Sequence, residues 1–138
     1  MYNNDNISNQ IKIDLNEENI PLEYIDIYIK NNEKINYETK SENQLIRVFK
    51  NKNFVNIIYG FPILNGYLNY EKVNEFLNDN NLNKNTFSDI NGEFLIISLD
   101  LKNLNIRLVN DRFSSLQLYY YAIGRNFFCS TNYFNLIK

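Results

Sequence analysis

Short runs rich in Ile, Tyr, Phe and Val recur along nearly the whole chain, separated by turns of Asn, Lys and Glu. Ile11-Lys12-Ile13-Asp14-Leu15 alternates apolar and polar residues strictly, the two-residue period of a half-buried strand. Tyr24–Ile29, Ile35–Thr39, Leu45–Phe49 and Phe54–Tyr59 read the same way, and Gly60 and Pro62 end the series. Only Tyr70–Leu77 breaks the pattern: Val73, Phe76 and Leu77 fall at helical spacing, and the Asn78-Asp79-Asn80-Asn81 run would fray the helix that they predict. Strands resume at Glu93–Asp100, Asn105–Val109, Gln117–Ala122 and Asn126–Ser130, and Asn132–Lys138 has the makings of a final helix. Many antiparallel strands with one or two helices predict an α+β domain built in layers.

The chain has 138 residues, enough for one domain with a real core, so residues 10–138 are expected to form a single unit behind a polar tail of residues 1–9. No apolar run approaches the roughly 20 residues of a membrane span, and the N-terminus has neither the basic start nor the apolar stretch of a secretory signal. The expectation is a cytoplasmic protein without membrane partners. With a net charge of −2, and Arg47, Lys50 and Lys52 as its densest basic stretch, the chain is not expected to bind nucleic acid. Its 11 Tyr and 10 Phe are expected in the core and in strand-pair packing rather than in a base-stacking platform.

Histidine is absent. That removes Ser-His-Asp and Cys-His catalysis and His-ligated metals, and the single Cys129 rules out a Cys-rich zinc site or an internal disulfide. No metal and no cofactor are expected. Chemistry would have to rest on carboxylates, on Lys or Tyr, or on the α-amino group. Pairs such as Asp89 with Glu93, or Asp100 with Asp111, are candidate carboxylate dyads, and solvent-facing turn charges explain them more simply.

Residues 89–137 contain an ordered set of matches. Gly92 and Phe94 open a strand that ends at Asp100; Asp111-Arg112-Phe113 follows a hairpin; then come Leu118-Tyr119-Tyr120 and Ser130. This order resembles the end of the class II glutamine amidotransferase domain of asparagine synthetases, where Gly-x-Phe, Arg-Asp-Arg-Phe-Gly-x-x-Pro-Leu-Tyr-Tyr and Phe-Ala-Ser-Glu occur in turn. From the residues alone, Asp111-Arg112 is a local charge and hydrogen-bond device that fixes a strand turn, and Leu118-Tyr119-Tyr120 a buried strand. The family's Gly after Asp-Arg-Phe is Ser114 here and its Pro is Gln117, which implies an altered turn.

The resemblance implies an Ntn-hydrolase-like αββα sandwich of two mostly antiparallel sheets, reduced in helix content, with the helix Tyr70–Leu77 on one outer face. It also implies a missing reaction. In the active family an N-terminal Cys attacks the glutamine amide, assisted by its own amino group. Position 2 here is Tyr2, a poor nucleophile with a pKa of about 10, and Cys129 reads as a packed core thiol. The family's Asn-Gly-Glu pocket segment aligns either with Tyr59-Gly60-Phe61 or with Asn65-Gly66-Tyr67, the first preserving strand register. Either way the carboxylate is lost, and Arg47 lacks the motif around the family's substrate arginine. Gly60, Asn65 and Gly66 are thus remnants of a substrate pocket, Gly92, Phe94, Asp111, Arg112 and Tyr119 a structural motif, and no catalytic residue is assigned.

The function that the resemblance implies is non-catalytic: a structural or partner subunit of an ATP-dependent asparagine-synthetase-like enzyme that forms amide bonds, in peptide or natural-product modification. The expected partner is a separately encoded synthetase domain or a second copy of the chain. The alternatives are a stand-alone protein-binding module, and a glutamine-hydrolysing amidotransferase matured by cleavage to expose Ser8.

Overall fold

A computed structural model describes residues 22–78 and 87–137. The expected strand Ile11–Leu15, the polar tail, Tyr2 and Ser8 lie outside the described residues. Among the described residues ten strands and two helices have both ends described, and residues 87–88 are helical as well. The strands are β1 (Glu23–Lys30), β2 (Lys34–Ser41), β3 (Ile46–Lys50), β4 (Phe54–Gly60), β5 (Ile63–Leu64), β6 (Tyr67–Leu68), β7 (Phe94–Asp100), β8 (Asn105–Asn110), β9 (Tyr119–Ile123) and β10 (Asn126–Ser130). Helix α1 (Tyr70–Asn78) lies between β6 and β7, and α2 (Tyr133–Leu136) follows β10.

Two four-stranded sheets are formed, in the orders β2-β1-β10-β9 and β3-β4-β7-β8, with β5 and β6 as a separate two-stranded ribbon. Every pairing is antiparallel. Each sheet is assembled from two hairpins. The last one, β9–β10, returns to the first sheet and sets Ile27 of β1 opposite Cys129 of β10.

The alternation of the sequence decides which face meets which layer. Ile25, Ile27 and Ile29 of β1 point inward with Ile35 and Cys129, and meet Val55, Ile57, Leu95, Ile97 and Leu99 of the second sheet in one buried cluster. The intervening residues of β4 and β7 point the other way. Ile58, Phe94 and Ile96 bury against Tyr70, Val73 and Leu77 of α1. A strand covered on both faces has no polar face to show, which is why Phe94-Leu95-Ile96-Ile97 is apolar without alternation. The layers are therefore sheet, sheet and helix, with α1 on the outer face of the second sheet as the sequence predicts. Asn69 caps α1, its side-chain oxygen accepting from the Lys72 amide at 3.1 Å.

Two strand readings are corrected. The run expected as Gln117–Ala122 begins at Tyr119, and Leu118-Tyr119-Tyr120 is not a buried strand. Because β9 lies at the edge of its sheet, Tyr120 is 68 % exposed and only Leu118 and Tyr119 are half-covered.

Candidate functional site

Three chain segments converge where β4 ends and β7 begins. The Phe61 amide donates to the Glu93 carbonyl at 2.7 Å, and Ile63 and Asn91 exchange amide–carbonyl bonds at 2.7 and 2.8 Å. Gly60 and Gly92 make this approach possible. A Cβ on Gly60 would lie 2.3 Å from the Glu93 carbonyl oxygen, and one on Gly92 would lie 2.0 Å from that of Phe61. Both also have positive φ, +101° and +96°, which disfavours any side chain.

Asp111 closes the same end. Its carboxylate accepts from the amides of Phe94 at 3.1 Å and Phe113 at 2.9 Å, and from both the amide and the hydroxyl of Ser115. Burial alone would raise its pKa, but the amide donors of Phe113, Phe94 and Ser115 outweigh that and hold it below the ordinary carboxylate value. Asp111 is thus the buried anchor of the β8–β9 connection and not a solvent-facing turn charge. Asp100, its imagined dyad partner, does sit in a turn, accepting from the Lys102 and Asn103 amides. Asp111 and Arg112 do not work as a pair: among the described residues the Arg112 guanidinium donates to the Ser88 carbonyl, at 3.5 Å. Ser114, where the resemblance places glycine, keeps a left-handed conformation with φ 50°. The turn retains the shape a glycine would favour, at a steric cost.

The three residues expected as pocket remnants are separated. Asn65 and Gly66, with φ of 55° and 81°, are the central residues of the tight turn joining β5 and β6, where both are exposed. Gly60 is buried, and both of its backbone groups are engaged: its amide donates to the Leu45 carbonyl at 2.8 Å, and its carbonyl accepts from the Tyr70 hydroxyl at 2.6 Å. An oxyanion hole needs an amide free to point at the reacting oxygen. The Gly60 amide is not free. Arg47 stands close to this group, its guanidinium 5.2 Å from the centre of the Tyr70 ring, and lines an open groove with Tyr70 and Glu71. The structure thus brings Arg47, Tyr70 and Gly60 together, an association that the sequence around Arg47 did not reveal.

Comparison with family models, with curated proteins and with solved structures finds no match.

Among the described residues no group of three or more Cys, Asp and Glu is arranged to hold a metal ion, and no helix is long and apolar enough to cross a membrane. Cys129 is fully buried between the sheets, and burial, aided by the charge of Asp26, pushes its thiol up to about 12. Around the closed site, large apolar side chains face solvent. Phe61, Tyr67 and Leu68 project from the segments around Gly60, and Phe113, directly beyond Asp111, is 89 % exposed. The other motif residue, Tyr119, lies in the first sheet, its ring 5.4 Å from and edge-on to that of Tyr133.

Proposed function

We propose that this chain is a non-catalytic amidotransferase-like domain of Ntn-hydrolase-like architecture, acting as the partner subunit of an ATP-dependent enzyme that forms amide bonds. The observation that carries the reading is the state of the Gly60 end. The segment that would supply an oxyanion hole is closed by hydrogen bonds within the chain, with the Leu45 carbonyl and the Tyr70 hydroxyl occupying both polar groups of Gly60. What remains there is an apolar rim of Phe61, Tyr67, Leu68 and Phe113. Exposed apolar side chains on neighbouring loops suit contact with another protein. A buried cysteine with a strongly raised pKa is a packing residue, not a nucleophile.

The test is affinity purification of the tagged full chain from its native lysate, with mass spectrometry of the proteins retained. A stoichiometric synthetase of the ATP-pyrophosphatase type is expected, and Phe113→Arg should release it while leaving the fold intact. Retention of an unrelated protein, equally sensitive to Phe113→Arg, would identify a protein-binding module instead. Release of ammonia from glutamine by the purified chain would overturn both readings.

A further inference from the structure

The outer face of the first sheet has a relief and a charge pattern that complement each other under a two-fold rotation. Tyr28, Phe128 and Tyr121 form a row across β1, β10 and β9. Neighbouring rings are 6.2 and 6.0 Å apart and within 12° of parallel. A planar guest between two rings needs about 7 Å, so the row is self-packed and cannot grip a base or sugar between its rings.

On one side of this row the sheet carries a bump. Helix α2 lies over the end of the face marked by Asp26, Ser130 and Tyr119. The Asn135 side chain donates to both Asp26 carboxylate oxygens at 3.3 and 3.2 Å, the Ser130 hydroxyl donates to Asp26 at 2.5 Å, and the Tyr133 ring meets that of Tyr119. Tyr133, Phe134 and Ile137 remain exposed on the bump. On the other side lies a groove of about 620 Å³, lined by Tyr28, Lys30, Tyr121, Ile123, Asn126 and Phe128. Ile123 is 68 % exposed beside it.

Charge follows the same division, apart from Lys40 at the bump end, which Glu42 neutralises at 3.1 Å. Lys30 pairs directly with Lys34 across β1 and β2 at the groove end, and Asp26 with Glu38 at the bump end. Like charges placed opposite each other across strands are destabilising within one chain. Asp26 is relieved by Ser130 and Asn135, and Glu38 by the Tyr24 hydroxyl at 2.6 Å. Among the described residues no carboxylate lies within salt-bridge distance of Lys30 or Lys34.

We propose that this face binds a second copy of the chain. A two-fold axis along the aromatic row, in the plane of the interface, keeps the row central and exchanges the two ends. It lowers the α2 bump of each chain into the groove of the other. It also turns the Lys30–Lys34 end of one copy toward the Asp26–Glu38 end of its mate. An axis along the strands would instead set the bump end against the bump end and the groove end against the groove end. Isologous contacts of this kind close at two copies. None of the residues involved belongs to the Gly60 end, so the dimer stands or falls independently of any synthetase partner.

The experiment is sedimentation of the full chain over a wide concentration range, with Phe134→Asp on the bump and Ile123→Lys in the groove. Both sites are exposed, so each variant should fold as the parent does by circular dichroism. The parent should dimerise, and each variant alone should self-associate at least about tenfold more weakly, as for loss of an apolar anchor. An equimolar mixture of the two should recover a heterodimer about tenfold tighter than either variant's own, because it holds one native junction and one Asp–Lys junction. A parent that stays monomeric overturns the proposal, as does a dimer indifferent to both substitutions. Loss of dimer in each variant without recovery on mixing overturns the bump-in-groove pairing.

Discussion

At the scale of single residues, Asp111 shows how one buried carboxylate organises a connection. Its donors come from the start of β7 and from the turn after β8, so it ties two segments 17 residues apart to each other. Its pKa lies below the ordinary 3.8, so the folded state binds a proton there less readily than the unfolded chain does. The stability this contributes is fully present above that ordinary value and is lost as pH falls through the lower, folded-state pKa. Asp111→Asn should cost about 1–3 kcal/mol at neutral pH, since an amide places its own N–H among donors that had an anion to bond. The gap between parent and variant should then close in acid. Urea unfolding of both proteins from pH 7 to pH 2.5 checks this, and a gap that stays constant across the range would show that the charge is not what holds the turn.

At the scale of elements, helix α1 depends on a polar contact as well as on its apolar stripe. Asn56, in the middle of β4, faces the helix and is almost fully buried. It donates to the side chains of Asn74 and Asn78 at 2.8 and 2.9 Å and accepts from the Ser98 hydroxyl at 2.8 Å. Asn56→Ala would leave the buried Ser98 hydroxyl without this partner and cut the bonds to Asn74 and Asn78, and should destabilise the fold by about 2 kcal/mol. Hydrogen exchange should show the α1 amides losing more protection than those of β1 and β10. An equal loss throughout would mean that the helix and sheets open as one unit. The period-two runs and the single helical stripe made nearly all these elements legible in the sequence, because alternation records which face of an outer strand is covered and the unbroken apolar run of β7 records cover on both. The polar network was not legible. An Asn inside Phe54–Gly60 looks like any other in an Asn-rich chain, and its partners lie 18, 22 and 42 residues away. The β5–β6 ribbon was likewise passed over as a site remnant, because Asn65-Gly66 suits a tight turn as well as it suits a pocket. The glycine-mediated approach of Phe61 to Glu93 is also a contact between distant segments that no local pattern encodes.

At the scale of the whole molecule, the two sheets meet through one apolar cluster, and Cys129 lies within it as the chain's single cysteine. Its sulfur is covered by both layers, so a reagent reaches it only when the sheets part or β10 leaves its place between β1 and β9. The thiol pushed up to about 12 slows reaction further, because only the thiolate is nucleophilic. Once the chain opens, the pKa returns toward the ordinary value of about 8.5 and labelling becomes fast. Thiol labelling at pH 8 is therefore expected to report opening of the sandwich rather than local fluctuation. In native buffer the rate should fall at least about a thousandfold below that of the unfolded chain, given the usual free energies of global opening. Added urea should raise it with the same slope that equilibrium unfolding gives, since both expose the same surface. A labelling rate independent of urea would mean that β10 frays alone, and would place the stable part of the molecule in the second sheet and α1.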